Sequence, residues 1–160
     1  MKKLLSIILS TLCLIFSFLG CSERKNAIIP TNDYHTDYKG IYITIESVDT
    51  MRGLNLNVRW HNETDYELVY TLPYQIEYKN GEEWVNIQTE DLNYAYSEIT
   101  IAPKSTKTQV YSTAGFDVSK TGVYRLRENC KILTDDMVSC NLWVEFNVKK
   151  FSMIEAIQSL

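Results

Sequence analysis

The chain has 160 residues, with 16 Lys+Arg against 20 Asp+Glu and a formal charge of -4. That is long enough for one self-sufficient domain, and the scattered basic residues form no stripe able to track a phosphate backbone, so nucleic acid is excluded as an expected partner. Two histidines and the lack of G-x-S-x-G, H-E-x-x-H, C-x-x-C and P-loop motifs argue against an enzyme, and no residue set asks for a cofactor or a metal.

Lys2 and Lys3 precede an apolar run from Leu4 to Leu19 that ends in Phe18-Leu19-Gly20-Cys21, the layout of a signal peptide over residues 1–20. The final tetrad resembles the lipobox of bacterial lipoproteins. The resemblance implies a diacylglyceryl group on the Cys21 sulfur and cleavage after Gly20 that leaves Cys21 at the N-terminus, anchoring the chain to the outer face of the cell membrane. Several acyl chains on one residue give near-permanent attachment, at about 0.8 kcal/mol per buried methylene. Cys13 leaves with the leader.

Residues 21–39 are polar, carry Pro30 and show no sustained periodicity, so they read as a tether. Asp33, His35 and Asp37 lie in it without a second shell to orient them, and read as solvated rather than as metal ligands. Ile41, Ile43 and Ile45 alternate with polar residues. Met51-Arg52-Gly53 then turns the chain into Leu54, Leu56, Val58 and Trp60, giving a two-strand opening. Asn62-Glu63-Thr64-Asp65 reads as an Asx-type turn, with His61 at the strand end before it.

Tyr66 to Thr71 is a short extended run stopped by Pro73. Tyr74, Ile76 and Tyr78 then lead to Asn80-Gly81, a hairpin signal because both residues tolerate the positive φ of a type I′ turn. A two-residue loop there pairs Ile76 with Val85 and turns Trp84 outward; a one-residue bulge changes that register. Trp84 is thus either a core residue or part of an exposed aromatic patch. Gln88 to Glu98 is the longest expected loop, and its Tyr94 and Tyr96 are candidate contacts for a glycan or a protein, or else a satellite core under the loop. A strand is expected around Thr108 to Ser112. After Lys150, Ser152 and Glu155 have capping-box spacing, with Ile154 and Ile157 on one side of a short helix in 151–160.

The closing hairpin organises the rest. Tyr124, Leu126, Cys130 and Ile132 alternate on one arm, and Cys140, Leu142, Val144, Phe146 and Val148 on the other. Opposing Cys130 to Cys140 brings Leu126 against Val144 and Tyr124 against Phe146, so both arms turn their apolar sides the same way. Export places the two cysteines in a disulfide-permissive compartment, and directly opposed residues fall within bridging distance, so a Cys130–Cys140 disulfide is expected.

Short strands, turn signals between them and no sustained helix make an all-β, Ig-like antiparallel sandwich of about seven strands over residues 40–150. Thr121-Gly122-Val123-Tyr124 resembles the tyrosine corner of Ig-like domains, while Leu126 stands where antibody domains place a cysteine. The order of ITIESV, LNLNVRWHNETD, YTLPYQIEY, NGEEW, IAPKST and GVYRL resembles the bacterial Ig-like domains of small lipoproteins of Gram-positive bacteria. That resemblance implies the fold and a surface location. A second resemblance, to the intracellular proteinase-inhibitor family of bacilli, rests on the same N-x-T, aromatic hairpin and proline-led strand. The expected function is a tethered module that binds an envelope protein or glycan. The alternatives are a protease inhibitor presenting Gln88 to Glu98, and an accessory of a membrane complex docking through Phe151 to Leu160.

Overall fold

A computed structural model describes residues 25–50, 54–92 and 97–151. Cys13, Cys21, the leader, the Met51-Arg52-Gly53 turn, Tyr94, Tyr96 and the expected helix in 152–160 lie outside the described residues. The sandwich is the compact unit Ala27–Lys149.

Ten strands form it: β1 (Lys25–Thr36), β2 (Ile41–Asp49), β3 (Asn55–Asn62), β4 (Leu68–Thr71), β5 (Gln75–Asn80), β6 (Glu83–Asn86), β7 (Glu98–Ile101), β8 (Ser105–Ser112), β9 (Gly122–Ile132) and β10 (Val138–Phe151). A seven-stranded sheet runs β1-β10-β9-β4-β7, with β5 pairing β9 and β6, and a three-stranded sheet runs β2-β3-β8. Pro73 explains why β4 and β5 are separate. Both pair with β9, Tyr70 opposite Cys130 and Ile76 opposite Leu126. A proline between them cannot donate to the ladder, so the run breaks.

The closing hairpin has the expected register, with Cys140 opposite Cys130, Val144 opposite Leu126 and Phe146 opposite Tyr124. Its inward side chains meet Ile41, Ile43, Leu56, Val58 and Trp60 of the smaller sheet in one core, the arrangement that buries one face of each sheet. The Tyr124 hydroxyl donates to the Lys120 carbonyl at 2.7 Å, which makes the tyrosine corner. Burial pushes the Tyr124 phenol up to about 12. Gly122 is required beside it: at φ 153° a Cβ would approach the Tyr78 ring to 2.7 Å. The Asx turn is also present, with the Thr64 amide donating to Asn62 Oδ1 at 3.1 Å.

Two expectations change. Residues 25–36 are strand β1, hydrogen-bonded to β10, rather than tether. Ile28 enters the core and the Thr31 hydroxyl donates to the Glu145 carbonyl at 2.8 Å. With few apolar residues, β1 is held by the ladder that β10 offers, which periodicity within the segment does not reveal. In the β5–β6 hairpin the loop is Gly81–Glu82, so Tyr78, not Ile76, opposes Val85. Gly81 has φ 67° and Glu82 is not among the positive-φ residues, the pattern of a type II′ turn with glycine in its first central position. Asn80 is therefore the last strand residue. Ile76 instead accepts the Ile87 amide at 3.2 Å.

Candidate functional site

On the outer face of the large sheet, alternate residues of five strands make a ladder of rings and cations. His35 of β1 stacks on Trp143 of β10 with centroids 3.9 Å apart. The Arg125 guanidinium of β9 lies 4.7 Å from the Trp143 ring and 4.3 Å from that of Trp84 on β6. At the other end Lys79 of β5 lies over Trp84, its Nζ 5.6 Å from the ring centroid. A cation at these distances is attracted by the ring quadrupole, by about 0.5–2 kcal/mol depending on desolvation. Trp84 is therefore a surface residue, half-buried by its neighbours.

Beneath the ladder, Glu77 is only 7 % exposed. Arg125 Nε donates to its Oε2, and Arg127 Nη1 lies 3.8 Å from its Oε1. At the ladder's other end Asn141 Nδ2 donates to Asp37 Oδ2 at 2.9 Å, and His35 Nε2 lies 3.4 Å from Asp37 Oδ1. The hydrogen bond from Asn141 is the main reason the Asp37 carboxyl is held below its ordinary range.

Beside Asn141 opens a groove of about 340 Å³ across β10, β9, β4 and β7, lined among others by Asn141, Ser139, Asn129, Lys131, Thr71 and Glu98. Amides, hydroxyls and one charge of each sign on rigid strands suit recognition by hydrogen bonding, with the ladder as its aromatic border. Sequence reasoning missed this assembly except for Trp84. Alternation shows Arg125, Arg127 and Trp143 on one face, but not which residues of β1 and β6 will lie beside them.

The opposite face of β9 holds the residue the apolar alternation steps over. Glu128, between Leu126 and Cys130, has inward parity and is 1 % exposed, and neither carboxyl oxygen has a hydrogen-bond partner. Its neighbours are phenols. Trp60 stacks on Tyr70 at 4.1 Å and donates through Nε1 to the Tyr111 hydroxyl at 2.9 Å, and the Tyr70 hydroxyl is also unpartnered. Burial pushes the Glu128 carboxyl up to about 8; the nearby Tyr111 phenol and Asn129 amide pull it back only in part. Burial and the Glu128 charge likewise raise both Tyr70 and Tyr111. The signal was its position: strict alternation through β9 places residue 128 inside.

Cys130 and Cys140 are both buried and stand as free thiols, so the expected disulfide is not formed in this structure. The Leu133 amide donates to Glu67 and the Asp37 amide to Asn141. Alternation from these bonds turns the backbones of Cys130 and Cys140 toward each other, a hydrogen-bonded pair with Cα atoms about 5.5 Å apart. The Cys130 thiol and the Thr36 hydroxyl, 3.5 Å from Cys140 Sγ, hold Cys140 below the ordinary thiol range, and Cys130 is raised in consequence.

His61 stacks on Tyr42 at 4.3 Å, and its Nε2 lies 3.0 Å from Thr44 Oγ1. Burial, then the Arg59 charge, lowers its pKa.

Two packed antiparallel sheets closed by a tyrosine corner define an Ig-like sandwich. The chain belongs to the bacterial Ig-like domain family, which it matches over residues 37–147. That membership suits a surface or interaction module. No curated protein and no solved structure gives a significant match.

Proposed function

We propose that the protein is a non-catalytic interaction module of the bacterial cell envelope, tethered to the membrane by a lipid on Cys21. Its contact face is the outer face of the large sheet, where the groove beside Asn129 and Asn141 meets the Trp143–Arg125–Trp84 ladder. The observation that carries this reading is that ladder. Large side chains are held half-exposed in fixed positions beside hydrogen-bonding groups, which lowers the ordering cost of binding an envelope protein or glycan. Crosslinking on intact cells, with capture of the full chain, tests it. Partners should be recovered with the unsubstituted chain and lost with Asn129→Ala/Asn141→Ala, while the thermal melt is kept. Capture that is indifferent to this pair of substitutions overturns the assignment of the face.

For the anchor, mass analysis of the N-terminus of the mature protein should find acylated Cys21, and Cys21→Ala should release or mislocalise the protein. For the cysteines, we propose that an envelope disulfide oxidant takes two protons and two electrons from the pair to form the Cys130–Cys140 bridge. Closing a loop of about 11 residues stabilises by at most about 3 kcal/mol. Non-reducing peptide mapping that finds only free thiols in protein from cells excludes the bridge.

A further inference from the structure

We propose that β8 is a self-pairing edge, through which two copies of this chain join their three-stranded sheets. The Thr113 amide donates to the Leu54 carbonyl at 2.9 Å, and the β3–β8 register continues from Asn55 opposite Ser112 without a shift. Backbone N–H and C=O groups of an antiparallel strand point to alternate sides. Tyr111, Gln109 and Lys107 therefore bond to β3, while Thr106, Thr108 and Val110 present theirs to the other side. The outward Ser112 carbonyl is taken by the Tyr74 hydroxyl at 2.6 Å and that of Val110 by Gln109 Nε2 at 3.3 Å. Among the described residues no strand pairs with that side. Val110 is 54 % exposed, and Thr106 and Thr108 are exposed with it.

The other edges are protected in ways that natural sheets commonly use. β1 contains Pro30, β2 has a register shift between Ile45 and Ser47, and β6 and β7 have four residues each. β8 has eight residues and neither proline nor bulge.

Its sequence selects the occupant. With a twofold axis at Thr108, antiparallel β8 strands oppose Thr108 to Thr108, Thr106 to Val110 and Lys107 to Gln109. Outward groups then meet outward groups, β-branched side chains meet each other, and no like charges stand opposite. An axis at Lys107 opposes two ammonium groups, and one at Gln109 needs the Ser112 carbonyl, held by the Tyr74 hydroxyl at 2.6 Å; the axis at Thr108 asks only that the exposed Gln109 amide, at 3.3 Å, release the Val110 carbonyl. The product is a continuous six-stranded sheet.

Cysteine crosslinking of the full chain in detergent tests this. In the Thr108→Cys variant the two introduced thiols would face each other across the axis, with Cα atoms about 5.5 Å apart, within the disulfide range. Under mild oxidation Thr108→Cys should give a covalent dimer on non-reducing electrophoresis. Val85→Cys, at another exposed position on β6, should give no more dimer than the unsubstituted chain. Thr108→Pro, if its thermal melt is retained, should shift the sedimenting mass from dimer to monomer. A Thr108→Cys chain that crosslinks no better than Val85→Cys, or that crosslinks instead to a different protein, overturns the proposal; the second result assigns the edge to a foreign strand.

Discussion

Glu77 and Glu128 are both buried glutamates on paired strands, β5 and β9, yet they face opposite sides of the sheet and have opposite surroundings. Glu77 lies under the Trp84 and Trp143 ladder with two arginines at its oxygens. Glu128 lies among Trp60, Tyr70 and Tyr111, with neither oxygen in a close hydrogen bond. Burial thus has different consequences on the two sides of the sheet. A carboxylate with arginines at its oxygens has its burial compensated by them, whereas an orphan in the core is stabilised by taking up a proton.

Breaking the paired side should have the largest effect. Glu77→Ala leaves Arg125 desolvated without its carboxylate and is expected to cost about 3–5 kcal/mol in urea denaturation. The double variant Glu77→Leu/Arg125→Met should recover much of that loss, because it strands no charge. Equal losses in the single and double variants would mean that the ring packing, not the ion pair, dominates the cluster.

The orphan side should respond in the opposite direction. Glu128→Met is expected to stabilise the fold at pH 8 by about 1–3 kcal/mol, since it removes an unsatisfied buried group. Stability should also depend on pH. The carboxyl has a folded value of about 8 against an ordinary 4.5, so between those values the unfolded chain gives up its proton first. The contribution is fully present below pH 4.5 and is lost as pH rises toward 8, by at most about 1.4 kcal/mol per unit. Lowered His61 acts the other way, because the unfolded chain binds its proton more readily. The difference in slope between the parent and Glu128→Met isolates the carboxyl, and parallel curves would show that Glu128 is not the group titrating.

The smallest test repeats the contrast with phenols. The Tyr124 hydroxyl has a partner and the Tyr70 hydroxyl has none. Tyr124→Phe should cost about 1 kcal/mol, whereas Tyr70→Phe should be neutral or stabilising, since like Glu128→Met it removes a buried unpartnered group. Chemical denaturation of the two variants side by side reads the difference.

Local alternation and turn chemistry were enough for one part of this molecule. The arms of the closing hairpin, their register through Cys130 and Cys140, the Asx turn at Asn62 and the tyrosine corner at Tyr124 all have their causes within a few residues of one another. The Gly81 turn marks the limit of that reasoning. Asn80-Gly81 correctly announces a hairpin, but where the loop sits also depends on how β5 lies against β9, with Tyr78 opposite Tyr124.

The remaining features arise from contacts between distant strands. β1 pairs because β10 has an open side, so a segment with little apolar content becomes a strand. Trp84 lies outside because Arg125 and Lys79 meet its ring from neighbouring strands. Glu128 shows the two levels together: parity along β9 assigns it to the interior, but its lack of a partner follows from the side chains that β3, β4 and β8 bring to that point. Those strands are far apart in the chain, and no local period records which of their atoms will meet.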